Sequence, residues 1–307
     1  VTGSGKTEVY MEVIDYALKQ GLDSIVLVPE ISLTPQTIAR FKNRFKDIVG
    51  VFHSRLSEGE RHDVFREIKK GNIRILIGAR SAIFAPFNSL GVVIVDEFHE
   101  SSYKSESNPK FSTLEVGRYL VNKRNITLVL GSATPSVEEY YRAKKGDYEL
   151  IELTKRANNK PLPKIEVVDM KDELKCGNRS FLSNKLRLQI EEEIKNIFPG
   201  VRVLRLDKDT TSKKNDLENI LNKFQNREAD ILIGTQMISK GLDFNHVTLV
   251  GILSADMMLN FPDFKSFETT FQLITQVSGR AGRSEKEGKV ILQTYTSENN
   301  VIKRIVD

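Results

Sequence analysis

Ten short runs of almost continuously apolar, β-branched-rich residues recur along this chain, each separated from the next by a longer polar or amphipathic stretch. In order they are SIVLVP, IVGVFHS, IRILIGA, LGVVIVDE and ITLVLGSAT, then IEVVDM, VRVLRLD, ADILIGT, VTLVGILSAD and GKVILQT. A strand with one wet face alternates apolar and polar residues. A strand that is apolar throughout is covered on both faces, the condition of a parallel sheet flanked by helices. Helix patterns lie between the runs. In SEGERHDVFREIKKG, for example, Ser57 has N-cap chemistry and Gly71 stands at a C′ position. The expected fold class is therefore α/β with mainly parallel sheets.

The cadence breaks once. KRANNKPLP, Lys155 to Pro163, is polar and carries two prolines, the composition of a connection between domains. With 307 residues the chain is long enough for two cores. The expected division is a first domain over 1–154, a linker over 155–164 and a second domain over 165–307. There is no repeat at solenoid spacing and no low-complexity tract. A net charge of +5 and a pI near 9.0 suit a polyanionic partner without requiring one. A single cysteine, Cys176, excludes an internal disulfide framework and a thiolate zinc site within this stretch, and it fits a reducing cytosol. No apolar run approaches the length of a membrane span.

The chain opens on VTGSGKTEVY. A phosphate-binding loop needs a glycine, four residues, then Gly-Lys-Ser/Thr. The leading glycine and its strand would precede Val1, so the natural chain is expected to begin upstream. GSGKT ahead of the helix pattern EVYMEVIDYALKQG places backbone N–H groups and a helix N-terminus around phosphates. There Lys6 neutralises the β/γ-phosphates and the Thr7 hydroxyl ligates Mg²⁺. LGVVIVDEFHE is a strand ending in two acids. At the carboxyl edge of a parallel sheet, Asp96 can hold the magnesium while Glu97 orients and deprotonates an attacking water. His99 stands where it can relay to Ser132 and Thr134 of GSATPS. In QVSGRAGR, Arg280 and Arg283 are three apart, so one helical turn lets both guanidinium groups face the same way, suited to the charge of a transferring phosphoryl group.

GSGKT, DEFHE, GSATPS, GTQMISKGLDF and QVSGRAGR, in that order, resemble the motifs of superfamily 2 helicases. LVPEISLTPQ, FHSRLSEGER, GARSAIFAPF, DEFHESSYK, FPGVRVLRLDKDTT and LNFPDFKSFETTFQLITQVSGRAGR narrow the resemblance to the primosomal replication-restart helicases, over essentially the whole chain. The resemblance implies two tandem RecA-like motor domains with ATP in the cleft between them. The implied enzyme is a bacterial, cytoplasmic, nucleoid-associated DNA-dependent ATPase that unwinds DNA 3′ to 5′ at stalled or recombination-derived forks. By position, Gly3, Ser4, Gly5, Lys6, Thr7 and Glu8 make the nucleotide loop, Asp96 and Glu97 the metal and water carboxylates, and Arg280 and Arg283 the arginine fingers. Gln276 stands near the γ-phosphate, and Gly241 and Asp243 sense nucleotide. Phe98 occupies a place where the family more often has a second glutamate, which leaves the two essential acids intact.

The resemblance also implies DNA partners, single-stranded and forked, together with single-stranded DNA-binding protein and primosome or helicase-loading proteins. It implies no membrane. The expected DNA contacts lie on the sheet face opposite the ATP loop: Arg80 and Ser81, Gln236 and Lys240, and Thr210 and Thr211. Tyr103 and Lys104 fall in the segment after DEFHE, an aromatic-rich loop in the family, where base stacking would report DNA occupancy to Glu97. Met257, Met258, Phe261, Phe264, Phe267 and Phe271 are read as core or interdomain packing. The family's zinc-binding, cysteine-rich insertion has no ligands in this sequence. It is expected between the stretch from Cys176 to Gln189 and FPGVRVLRLD, where LRLQIEEEIKNIFPG runs straight through. The motifs leave open a duplex translocase that remodels protein–DNA complexes without unwinding, and, from other classes, a P-loop phosphotransferase and an idle scaffold.

Overall fold

The computed structural model describes residues 3–157, 161–194, 200–207, 216–235, 238, 244, 246–282 and 288–306. They fall into two compact units, Gly3–Thr154 and Lys155–Asp307.

The first unit runs α1 (Lys6–Lys19), β1 (Asp23–Leu27), α2 (Pro35–Phe45), β2 (Val49–Phe52), α3 (Glu58–Lys69), β3 (Ile75–Gly78), β4 (Leu90–Asp96), α4 (Thr113–Arg124), β5 (Thr127–Gly131) and α5 (Val137–Lys145). The sheet order is β2-β3-β1-β4-β5, and every neighbouring pair is parallel. Successive side chains leave a strand on opposite faces, so the apolar runs feed two cores. Ile25, Leu27, Leu76, Val93 and Val95 meet Val64, Phe65 and Ile68 of α3 and Leu120 and Val121 of α4. Val26, Ile75, Ile77, Val92 and Ile94 meet Tyr10, Met11 and Ile14 of α1 and Phe41 and Phe45 of α2. Ile25, Leu27, Ile75, Ile77 and Ile94 are fully buried. Each such side chain stabilises the fold by about 1.5–3 kcal/mol, so β3, β1 and β4 form a stiff central frame.

Local chemistry closes the helices as expected. Ser57 Oγ accepts from the Glu60 amide while the Glu60 carboxylate accepts from the Ser57 amide at 2.8 Å, a reciprocal capping box that starts α3. Gly71 takes a φ of +79° just past its end.

The second unit runs β6 (Lys164–Asp169), α6 (Met170–Lys175), α7 (Asn184–Ile194), β7 (Val203–Leu206), α8 (Asp216–Gln225), β8 (Ile231–Gly234), β9 (Leu249–Ile252), α9 (Asp256–Leu259), α10 (Ser266–Ser278), β10 (Lys289–Thr294) and α11 (Asn300–Val306). Among the described residues its strands form two parallel ladders, β6-β10-β9 and β7-β8. Each of the ten apolar runs thus carries a strand. The buried carboxylate of Asp256 accepts from Thr294 Oγ1, Thr296 Oγ1 and the Tyr295 amide at 2.7–2.9 Å, which pins α9 to the end of β10.

Two expectations are corrected here. Residues from Lys155 onward belong with the second unit, because Arg156 is buried in it and bonded to its backbone. The Met257 and phenylalanine series is not core: Met257, Phe261, Phe264 and Phe267 are well exposed, Phe264 at 93%. On α10, Phe267 and Phe271 are 52% and 38% exposed although each stands three residues before a buried position, Thr270 and Ile274, on the same side of the helix. The junction proposed for the missing insertion runs into residues 195–199, outside the described residues.

Candidate active site

Helix α1 and strand β4 bring the lysine and the two acids together. Tyr10 and Ile14 of α1 pack in one core with Val92 and Ile94 of β4, so the N-terminus of the helix stands over the carboxyl end of the strand. Gly5 forms the N-cap with a φ of +87°, a left-handed turn that glycine adopts without a Cβ penalty. Lys6 Nζ then lies 2.6 Å from Glu97 Oε1 and 3.4 Å from Asp96 Oδ1. Glu97 itself is left-handed, at φ +46°, an uncommon state for a side-chain-bearing residue and one that functional sites concentrate. Its Oε2 is buried without a hydrogen bond, 3.6 Å from His99 Nδ1.

The electrostatics follow from burial and proximity. Burial alone would lower the Lys6 pKa, but Asp96 and Glu97 outweigh it and hold the ammonium above its ordinary value. Asp96 is pushed up chiefly by burial and further by Glu97, against the opposing pull of Lys6 and of a hydrogen bond from Tyr10. The oxygens of Thr7 and Asp96 are the hard donors that Mg²⁺ prefers, so the residues present fit that ion. Zinc is different: among the described residues no cluster of three or more His, Cys, Asp or Glu could hold a metal, and Cys176 is an exposed free thiol.

Two tyrosines that the motifs do not mark hold Asp96 in place. Tyr10 donates its hydroxyl to Asp96 Oδ1 at 2.7 Å. The Tyr103 hydroxyl lies 2.6 Å from the Asp96 carbonyl and 3.0 Å from that of Leu27, one proton shared between two acceptors. Burial and then the Asp96 charge push both phenols well above their ordinary value, so they stay neutral donors. Tyr10 also explains the first residue of GSATPS: a Cβ on Gly131 would sit 1.7 Å from the Tyr10 hydroxyl oxygen. Beside it, Ser132 Oγ lies 2.7 Å from His99 Nδ1 and accepts from the Thr134 amide at 2.9 Å, the juxtaposition expected between DEFHE and GSATPS.

Tyr10→Phe removes one hydrogen bond to a charged group and little volume. Such a bond contributes about 1.5–3 kcal/mol. Turnover in this variant is expected to fall roughly tenfold or more, with KM for ATP nearly unchanged. Steady-state kinetics at saturating DNA check this, and an unaltered kcat would show that Asp96 is oriented by other groups.

The remaining expected residues are placed as follows. Gly3 has a φ of +73°, and Ser4 Oγ is buried without a hydrogen bond. Glu8 lies in the first turn of α1, but its carboxylate is exposed and stands 3.8 Å from Arg44 Nη1 of α2. Arg80 and Ser81 follow β3 in a turn whose Ala82 and Ile83 pack on the α3/α4 face, away from α1. Arg80 Nη1 donates to the carbonyls of Lys104 at 2.8 Å and Ser102 at 3.3 Å, so it braces the segment after DEFHE. Lys104 and Ser81 are exposed. Tyr103 is corrected: at 2% exposure its ring lies in the core and offers no face to a base. Phe98 is likewise a core residue. In the second unit Gln276 is buried in the last turn of α10, and Arg280 is half-buried just beyond it. Thr210, Thr211, Gln236, Lys240, Gly241, Asp243 and Arg283 lie outside the described residues.

Comparison with known proteins identifies the class to which these domains belong. A DEAD/DEAH box helicase family model matches residues 1–143, and a helicase conserved C-terminal domain model matches residues 167–285. A solved structure of RecG bound to a three-way DNA junction superposes with a TM-score of 0.56 at 19% identity, covering 99% of this chain and 42% of that one, a likeness of fold. The chain belongs to the superfamily 2 helicases, built on paired RecA-like α/β domains. Within that class its sequence places it with the replication restart proteins. It is 44% identical to the replication restart protein PriA of Bacillus subtilis (strain 168), over 96% of this chain and 47% of the relative. It is 36% identical to PriA of Synechocystis sp. (strain ATCC 27184 / PCC 6803 / Kazusa), over 99% of this chain and 48% of that protein. The chain thus spans about half the length of these relatives. The match to the B. subtilis protein runs over 379 residues against the 307 of this chain, so the relative carries at least 72 positions there without a counterpart.

Proposed function

We propose that this chain is the motor core of a replication restart helicase. It hydrolyses ATP and moves 3′ to 5′ along DNA at stalled or recombination-derived forks, where the whole protein engages single-stranded DNA-binding protein and helicase-loading partners. The setting is the bacterial cytoplasm and nucleoid. The observation that carries the reading is the meeting of Lys6 with Asp96 and Glu97, residues 90 or more positions apart, at 2.6–3.4 Å.

That arrangement has a chemical consequence. Without nucleotide, Lys6 neutralises Glu97. A triphosphate in the loop offers the ammonium a more highly charged partner, so Lys6 moves to the β/γ-phosphate oxygens and Glu97 is released. The freed carboxylate, with Oε2 already unbonded, is then able to accept the proton of a water attacking the γ-phosphate. Thr7 and Asp96 would hold Mg²⁺, which would supply neutralisation of phosphate charge. Tyr10 keeps Asp96 oriented throughout. The turn carrying Arg280 and Arg283 lends guanidinium charge to the phosphoryl group in the transition state, and Gln276 lies one helical turn before Arg280. The products are ADP and phosphate.

ATP turnover measured without DNA, with single-stranded DNA and with forked DNA tests the reading. Turnover is expected to rise severalfold with either DNA, in step with binding that weakens steeply as salt is raised. Turnover indifferent to DNA would make the chain a P-loop enzyme of another kind. Protein displacement without strand separation by the full-length protein would make it a duplex translocase.

A further inference from the structure

The stretch that follows the first unit carries a buried cation. Arg156 is 5% exposed. Its Nη2 donates to the Gly279 carbonyl at 3.2 Å, and its Nη1 lies 3.4 Å from the carbonyl of Gly282 and 3.3 Å from that of Pro161. Gly279 and Gly282 stand on either side of Arg280, and Gly282 immediately precedes Arg283. Helix α10 is running out at this point. The amides of Gly279, Arg280 and Ala281 still donate back to Thr275, Val277 and Ser278, but the carbonyls beyond the last turn need partners from elsewhere. A guanidinium answers that need well: its N–H groups form a rigid fork that can reach two acceptors, and its charge complements the helix C-terminus. The turn is tight on its other sides. The Gly282 amide donates to Val247 at 3.2 Å, and a Cβ on Gly288 would lie 2.2 Å from the Gly282 nitrogen. Burying a guanidinium costs more than burying an apolar side chain of the same volume, so filling space does not account for this residue.

We infer that Arg156 is a positioning residue for the arginine turn. It grips the backbone before and after Arg280, so the turn presents the Arg280 guanidinium in one orientation, and it ties that turn to the connecting stretch that contains Arg156 and Pro161. A shift of the connecting stretch is thereby passed to Arg280. The inference rests on the reading of Arg280 and Arg283 as phosphate-directed.

The test measures the affinities of ADP and of ADP–aluminium fluoride, a mimic of the phosphoryl-transfer transition state, together with thermal unfolding. The variants are Arg156→Lys and Arg156→Gln, each alone and in the Arg280→Ala/Arg283→Ala protein. Lysine keeps the charge and the buried stem but loses the fork. Each single variant is expected to bind ADP–aluminium fluoride about tenfold more weakly while ADP affinity stays within about twofold. In the double-alanine background the further loss is expected to shrink below about twofold, because nothing remains to be oriented. Undiminished analogue affinity in a folded Arg156→Lys protein, or a loss that simply multiplies with that of the double-alanine change, would overturn the inference. Loss of a cooperative melt in both Arg156 variants would also overturn it, assigning the residue to folding alone. If the double-alanine protein itself binds the analogue normally, the reading of the two arginines fails instead.

Discussion

Lys6→Ala is expected to abolish measurable ATP turnover while single-stranded DNA binding persists. Removing a preorganised donor of transition-state charge costs about 10²- to 10³-fold on its own. Here the change does more, because Lys6 is also the cation between Asp96 and Glu97. Without it, two neighbouring half-buried carboxylates lose the cation between them, and Asp96, already pushed up by burial, becomes harder to ionise. The magnesium-holding role proposed for Asp96 therefore weakens together with phosphate binding. DNA affinity is expected to survive because Arg80, Ser81 and Lys104 belong to segments at the α3/α4 face, away from the core built on α1. ATPase assays and salt titration of single-stranded DNA binding check the two halves of this expectation. Normal turnover in the variant would refute the nucleotide site outright.

Arg283→Ala, with Arg280→Ala beside it, is expected to leave ATP affinity within a few-fold and to remove most DNA-stimulated turnover. An arginine supplied to a transferring phosphoryl group contributes roughly 10³ to 10⁵ in rate. That contribution appears in kcat rather than in ground-state binding, because the guanidinium meets charge that develops only as the bond breaks. Single-turnover measurements with bound ATP separate the two. A variant that loses ATP affinity and keeps its catalytic rate would show that these arginines hold the ground state, and the finger assignment would fall.

Much of the fold was legible because its signal is local. The runs of β1, β3 and β4 became strands because a sheet covered on both faces buries nearly every residue of such a run, while β7 and β8 are strands that leave Val203 and Ile233 exposed; Ser57 and Glu60 cap α3 through atoms three residues apart. The lysine and acid pair were legible for a related reason: GSGKT and VIVDE each place their chemistry at the end of an element, and parallel sheets gather such ends along one edge. What escaped was whatever depends on a neighbour distant in sequence. Tyr10 reads as one more apolar position of an amphipathic helix, and nothing local reveals an acceptor 86 residues away. Tyr103 reads as a stacking platform in an aromatic loop, yet the carbonyls of Leu27 and Asp96 draw it inward. Phe264 and Phe267 read as core or interdomain packing, and their exposure within the folded unit rules out only the first.

By itself, then, the order of residues determined the parallel α/β plan, the two units and the ends of strand and helix that carry Lys6 and the paired acids Asp96 and Glu97. Hydrophobic period and backbone capping act within a few residues, so no folded neighbour is needed to read them. The tertiary structure alone decided which side chains hold those groups still: Tyr10 on the Asp96 carboxylate, Arg80 on the loop after DEFHE, and Arg156 on the arginine turn. Each of these is a directional hydrogen bond between segments that only the packed core brings within 3.2 Å of one another.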